Sequence, residues 1–195
     1  AITKRSFDLI MAAFGLVMTS WIIAISWVLA TIDTGANGFF RQQRVGYKGR
    51  LFKTVKIRTM RDGGSGGTTV TTANDARITS LGRFWRKTKI DELPQLFNVF
   101  LGQMSFVGPR PDVPGFADRL EGGDRMILSV RPGITGPATL KYRNEEELLA
   151  LQEDPERFNR EVVFPDKVRI NREYIENWSF RQDIGYILAT IFGTH

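Results

Sequence analysis

The sequence predicts a mainly helical α+β protein: a membrane-embedded N-terminal helix, then a small cytosolic domain carrying interfacial amphipathic helices. Three observations lead there. An uncharged run of 24 residues spans Leu9 to Ile32. A basic segment with strand-like alternation follows it. Beyond residue 80, apolar side chains recur mostly at helical spacing, ending in Trp178, Phe180, Ile184, Ile187, Leu188, Ile191 and Phe192. The expected boundary puts residues 1–34 in the membrane and 35–195 in the domain. A chain of 195 residues is long enough to bury one sizeable core.

The first element can cross a bilayer, which takes roughly 20 helical residues, and it lacks the small-residue cleavage site of a signal peptide. Lys4 and Arg5 precede it; Arg41, Arg44, Lys48, Arg50, Lys53 and Lys56 follow it. A spanning helix prefers its basic flank on the cytoplasmic side. Two basic flanks instead suit a re-entrant segment that enters and leaves by one face, bending near Thr19-Ser20-Trp21, with a span as the alternative. Serine contributes to such bends by bonding a carbonyl one turn back. Next, Leu51, Lys53, Val55 and Ile57 share one side of an alternating pattern, which predicts short strands or a hairpin. Residues 62–76 form a Gly/Thr-rich loop without the Lys-Ser/Thr ending of a Walker phosphate loop. A short basic helix, Phe84 to Lys89, then leads into the most informative stretch.

That stretch runs from Lys87 to Pro111. Ile90, Leu93, Phe97 and Phe100 recur at steps of three, four and three, the repeat of one buried helical face. Asp91 and Glu92 stand at the mouth of this helix, where the positive dipole end favours ionised carboxylates. Pro94 suits the first turn, since its missing N–H is not needed there. After Gly102 the chain returns as Gly108-Pro109-Arg110-Pro111, a rigid turn presenting one guanidinium. Two acids with such an arginine suit a site for metal and phosphate, although acid pairs also simply decorate helix starts. Residues 112–130 read as a connecting helix broken at Gly122-Gly123. Arg131 to Gly136 read as a turn cluster whose glycines can take left-handed conformations. Glu145 to Asp154 read as a solvated acidic helix.

Composition narrows the chemistry. There are no cysteines, which excludes disulfides, thiolate metal sites and a cysteine nucleophile. The one histidine, His195, is the last residue and reads as a frayed terminus, so a histidine-based triad or zinc site is not expected. The net charge of +6 is uneven: residues 1–100 hold 15 Lys and Arg against 6 Asp and Glu. A basic half adjoining a long apolar run suits lipid headgroups and phosphate.

Ile90 to Pro111, IDELPQLFNVFLGQMSFVGPRP, resembles the signature of the bacterial sugar transferases called small monotopic phosphoglycosyl transferases. The likeness begins at Lys4-Arg5-Ser6-Phe7-Asp8 and continues through Lys56-Ile57-Arg58-Thr59-Met60. It is densest from Arg77 to Gly136 and ends near Arg143-Asn144. It departs at Thr19-Ser20-Trp21, where the family carries Ser-Pro, and again at Pro137 to Tyr142. The resemblance implies an enzyme of the bacterial inner (cytoplasmic) membrane with its catalytic domain on the cytoplasmic face. Such an enzyme moves a sugar 1-phosphate from a UDP-sugar to polyprenyl (undecaprenyl) phosphate and releases UMP, initiating glycoconjugate or exopolysaccharide assembly. It further implies that Asp91 is the nucleophile, forming a phosphosugar-aspartyl intermediate. Glu92 and Asp91 would hold Mg²⁺, and Arg110, Arg86 and Arg58 would meet substrate phosphates. Arg58 reads equally well as a solvated residue of a surface strand, and a homo-oligomer is compatible with everything above. The alternatives are a non-catalytic membrane scaffold of the same fold, against which the intact Asp91, Glu92 and Arg110 argue, and a nucleic-acid binder, for which no reading motif is present.

Overall fold

The computed structural model describes residues 2–62 and 75–193. Most of the Gly/Thr-rich loop and His195 lie outside the described residues. The chain forms two compact units, and they do not divide at residue 34. Among the described residues the first takes 2–43, 53–62 and 75–102, and the second takes 44–52 and 103–193.

The first unit opens with helix α1, Ile2–Thr34. It runs without interruption through Thr19, Ser20 and Trp21, where no proline removes an N–H from the ladder. The Thr19 and Ser20 hydroxyls donate back to Gly15 O (2.7 Å) and Val17 O (2.9 Å), as expected of this stretch. At 1.5 Å per residue the helix is about 50 Å long. Asp8, Ala12, Ile23, Ser26 and Ala30 are buried on one stripe, while Ile10, Phe14, Val17, Trp21, Ile25, Val28 and Ile32 are exposed on the opposite one.

Strands β1 (Phe39–Val45) and β2 (Leu51–Ile57) pair in a two-stranded sheet. Their short connection permits only an antiparallel hairpin. The expected alternation is imperfect, because Thr54 and Ile57 are the buried positions of β2 while Leu51 is exposed. Helix α2 (Ser80–Thr88) is capped by Thr79, whose hydroxyl accepts from Gly82 N at 2.8 Å. A 3₁₀ turn, Ile90–Glu92, and helix α3, Gln95–Phe100, complete the unit. Its core joins Ala30 of α1 to Ile57 and Trp85, with Phe39, Leu81 and Ile90 packed around them. The membrane-type helix is therefore part of the same core as the acid-bearing turn. Arg5 adds to this: its guanidinium donates to Val99 O (2.7 Å) and Phe100 O (2.9 Å), capping α3.

The face expected to be buried around α3 is buried only in part. Asp91, Pro94, Gln95, Leu96, Asn98 and Val99 are inside, whereas Phe97, Phe100 and Leu101 are 46%, 43% and 68% exposed. The apolar repeat is split: Ile90 and Leu93 are half-buried, Ile90 against the core, while Phe97 and Phe100 point outward.

In the second unit, β3 (Ser105–Val107) pairs in parallel with β4 (Gly133–Thr135), Ser105 opposite Gly133 and Val107 opposite Thr135. Between them the expected connecting helix is instead two 3₁₀ segments, Ala117–Arg119 and Gly122–Ser129. Gly133 and Gly136 do not use the left-handed region open to them. They are required by close backbone approach: a Cβ on Gly136 would lie 2.6 Å from Gly108 O. Helices α4 (Pro137–Lys141), α5 (Glu145–Ala150) and α6 (Pro155–Phe158) follow. A π-turn, Asn159–Val163, leads into α7 (Phe164–Glu176), and α8 (Phe180–Phe192) ends the fold. The core is Val45, Ala117, Ile127, Leu128 and Val168. Buried Asp183 ties α8 to α7, accepting from Tyr174 Oη (2.6 Å) and Trp178 Nε1 (2.9 Å). Ile191 and Phe192 of α8 remain exposed.

Candidate active site

The two acids sit on the 3₁₀ turn between α2 and α3. Lys89, the residue that caps α2 and starts this turn, is left-handed at φ 59°. That conformation costs a non-glycine residue about 1–2 kcal/mol. It reverses the chain so that Asp91 points inward: Asp91 is 7% exposed, and its Oδ1 is buried with no hydrogen-bond partner. Glu92, beside it, accepts from Lys56 Nζ of β2 at 2.9 Å, an ion pair largely shielded from solvent.

Burial pushes the Asp91 carboxyl up to about 6, with the neighbouring Glu92 charge adding to the rise. Lys56, Lys89 and Arg86 pull the other way. Burial thus opposes the pull of a helix N-terminus toward the ionised form. Helix α3 begins only at Gln95 and is six residues long, so its dipole is small, while desolvation acts in full. The group is therefore protonated more readily than an ordinary aspartate.

Arg86 of α2 is close enough to act on Asp91 electrostatically. Its Nε donates to Thr59 Oγ1 at 3.1 Å and its Nη2 approaches the Met60 sulfur at 3.4 Å. Arg58 has other company: Nε donates to Asn37 O (2.8 Å), Nη1 pairs with Asp62 (2.8 Å), and the guanidinium lies 5.7 Å from the Phe40 ring centre. These contacts fasten the end of β2 to the segment after α1. The first unit therefore gathers Asp91, Glu92, Arg86 and Lys56.

Arg110 belongs to the second unit, on the turn after β3. Gly133 N donates to Pro109 O (2.8 Å) and Gly108 N to Thr135 O (3.0 Å), so the parallel strand pair holds this turn. Arg110 Nη1 reaches Ile134 O at 3.5 Å. The adjacent Asp112 is pushed up to about 6 by burial, against the charges of Lys167 and Arg44.

A divalent ion fits what the turn offers. Asp91 Oδ1 is an orphaned buried oxygen, Glu92 is the next residue, and both are hard oxygen donors of the kind Mg²⁺ prefers. Among the described residues no third acid or histidine joins them. That suits an ion that takes one or two carboxylates and completes its shell with water and substrate phosphate. Lys56 and Asn98 were missed as individuals by sequence reasoning. The available signals were a lysine within an alternating strand and an asparagine inside the apolar run Leu96-Phe97-Asn98-Val99.

The profile described as bacterial sugar transferase matches residues 1–194. The exopolysaccharide production protein ExoY of Sinorhizobium fredii is 31% identical over 206 residues, covering 97% of this chain and 84% of that protein. The uncharacterized sugar transferase EpsL of Bacillus subtilis is 35% identical over 191 residues, covering 97% and 86%. The UDP-glucose:undecaprenyl-phosphate glucose-1-phosphate transferase of Escherichia coli is 33% identical over 194 residues, covering 97% of this chain but 39% of that longer protein.

Proposed function

The chain belongs to the bacterial sugar transferase family, and from that premise we propose that it transfers a sugar 1-phosphate from a UDP-sugar to undecaprenyl phosphate at the cytoplasmic face of the bacterial inner membrane. The name of the Escherichia coli relative supports the substrate classes, and the name of the Sinorhizobium relative supports a role in exopolysaccharide production. The observation that carries the chemistry is the Asp91 carboxylate oxygen, buried and without a hydrogen-bond partner. An acceptor that no protein group occupies is open to an electrophile without first breaking a hydrogen bond to the protein.

In this reading Asp91 Oδ1 attacks the sugar-proximal phosphorus of the UDP-sugar. The bond from that phosphorus to the bridging oxygen breaks, and the electron pair leaves with UMP. A phosphosugar-aspartyl ester remains. An oxygen of undecaprenyl phosphate then attacks the same phosphorus, the phosphorus–oxygen bond to Asp91 breaks, and the carboxylate returns with the polyprenyl diphosphate sugar as product. Arg86 neutralises phosphate charge from α2. The Gly108-Pro109-Arg110-Pro111 motif supplies Arg110 for the same task by residue-to-residue resemblance. Arg58 serves only by giving up Asp62, an exposed partner that is easily exchanged. Mg²⁺ on Glu92 and Asp91 would supply positive charge against the diphosphate.

The membrane address rests on α1, whose most apolar window has a mean hydropathy of 2.1 and is only 17% buried. We assign its exposed stripe, together with Phe97, Phe100 and Leu101 of α3, to lipid. On α8 the exposed Leu188, Ile191 and Phe192 fit an interfacial helix. The deciding experiment is to quench the protein with a UDP-sugar panel and Mg²⁺ before adding lipid. Mass spectrometry should then find one hexose- or N-acetylhexosamine-phosphate adduct on Asp91. Asp91→Asn should give neither adduct nor UMP, and a variant turning over at the wild-type rate would sink the nucleophile assignment.

A further inference from the structure

Asn98 lies inside α3, 2% exposed. A buried primary amide is costly unless its polar atoms are paired. Here they are paired with a strand. Oδ1 accepts from Val55 N at 3.1 Å and Nδ2 donates to Lys53 O at 2.8 Å. In a parallel ladder, one residue takes the N–H of one partner residue and gives to the C=O two positions before it. The Asn98 amide makes that pattern around Thr54, so a helix side chain stands where a neighbouring strand would.

The position of this clamp matters because of what sits at each end. One residue beyond Val55 on β2 is Lys56, and six residues before Asn98 is Glu92, on the turn that feeds α3. Lys56 and Glu92 meet at 2.9 Å. A slip of β2 along α3 by one residue, about 3.3 Å, would flip Lys56 to the other face of the strand.

We propose that Asn98 is a positioning residue: by locking the register of β2 against α3, it holds Lys56 opposite the Asp91–Glu92 pair and fixes the cation that faces the reacting carboxylate. The catalytic part of this statement rests on the function proposed above, whereas the positional part does not. Asn98 touches no substrate in this role. It acts through Lys56.

The experiment is lysine footprinting of the full chain in detergent, without Mg²⁺ or substrate, using a small acylating reagent and mass spectrometry. In the wild type Lys56 should react far more slowly than the exposed Lys48 and Lys87. In Asn98→Leu, which keeps the side-chain volume and removes both hydrogen bonds, Lys56 should react at the rate of those two, as it should in Glu92→Gln. Thr54→Val, a loss of polar contact in the same strand that spares the clamp, should leave Lys56 protected; a merely structural weakening of β2 would not distinguish the two. Should Asn98→Leu fail to show a cooperative melt, Asn98→Asp is read instead, since it keeps the acceptor for Val55 N and loses the donor. Protection of Lys56 persisting in a folded Asn98 variant overturns the proposal. UMP release measured alongside separates the two readings: active Asp91→Asn with a responsive Lys56 sinks the transferase chemistry and leaves the clamp, and the converse pattern does the reverse.

Discussion

At the scale of single residues, the telling feature is an acid placed where charge is costly. Asp91 has a folded value of about 6 against 3.8 for the ordinary group. The folded chain therefore holds this proton more tightly than the unfolded one. Its stabilising contribution is complete below pH 4 and is lost as the pH rises through 6. Asp91→Asn, neutral throughout, should be more stable than the wild type at pH 8 in chelator by up to about 3 kcal/mol, with the gap closing by pH 4. Denaturant titration at the two pH values measures it, and equal stabilities at pH 8 would mean the carboxylate is solvated after all. Adding Mg²⁺ at pH 8 should shrink the gap, because a bound cation offsets the desolvation of the carboxylate. These residues were unequally legible. Asp91, Glu92 and Arg86 stand out in a sequence because two adjacent acids and a preceding basic helix are local patterns. Lys56 and Asn98 were not, since each gains its meaning from a partner 36 or 43 residues away.

At the scale of elements, Arg5 exchanges one expected role for another. As a flanking charge of an apolar segment it would face headgroups, yet it caps α3 through Val99 O and Phe100 O. Arg5→Met keeps the stem and removes the fork, and should cost about 1–3 kcal/mol. Arg5→Lys should recover only part, because an ammonium cannot span both carbonyls in the same fixed geometry. Hydrogen exchange at the α3 amides reports the loss, and unchanged protection there would show the cap to be idle. Element boundaries were readable where punctuation is chemical: Gly102, left-handed at φ 79°, ends α3, and Ser179 with Gln182 starts α8 through a reciprocal capping box. The inside and outside of α3 were not readable. Periodicity identifies an apolar face but not whether protein or lipid covers it.

At the scale of the molecule, α1 cannot be set aside as a detachable anchor. Its buried stripe meets α2, the 3₁₀ turn and α3, and Ala30 is fully buried against Ile57 and Trp85. A chain starting at residue 35 should lose the cooperative melt of the first unit and aggregate, since removal of α1 uncovers that apolar core. Recovery of a soluble, cooperatively melting fragment would contradict this packing.

The sequence by itself determined what could be written in neighbouring residues: the apolar N-terminal helix, the acid pair, the rigid Gly-Pro-Arg-Pro turn, the absence of thiol chemistry and the family. All of these depend on local spacing or on composition. Only the tertiary structure decided that α1 is unbroken and shares a core with the acids, that Asp91 is buried with an unpartnered oxygen, and that Lys56 faces Glu92. Those outcomes depend on which surfaces are removed from water together, and that is fixed by contacts between segments far apart in the chain.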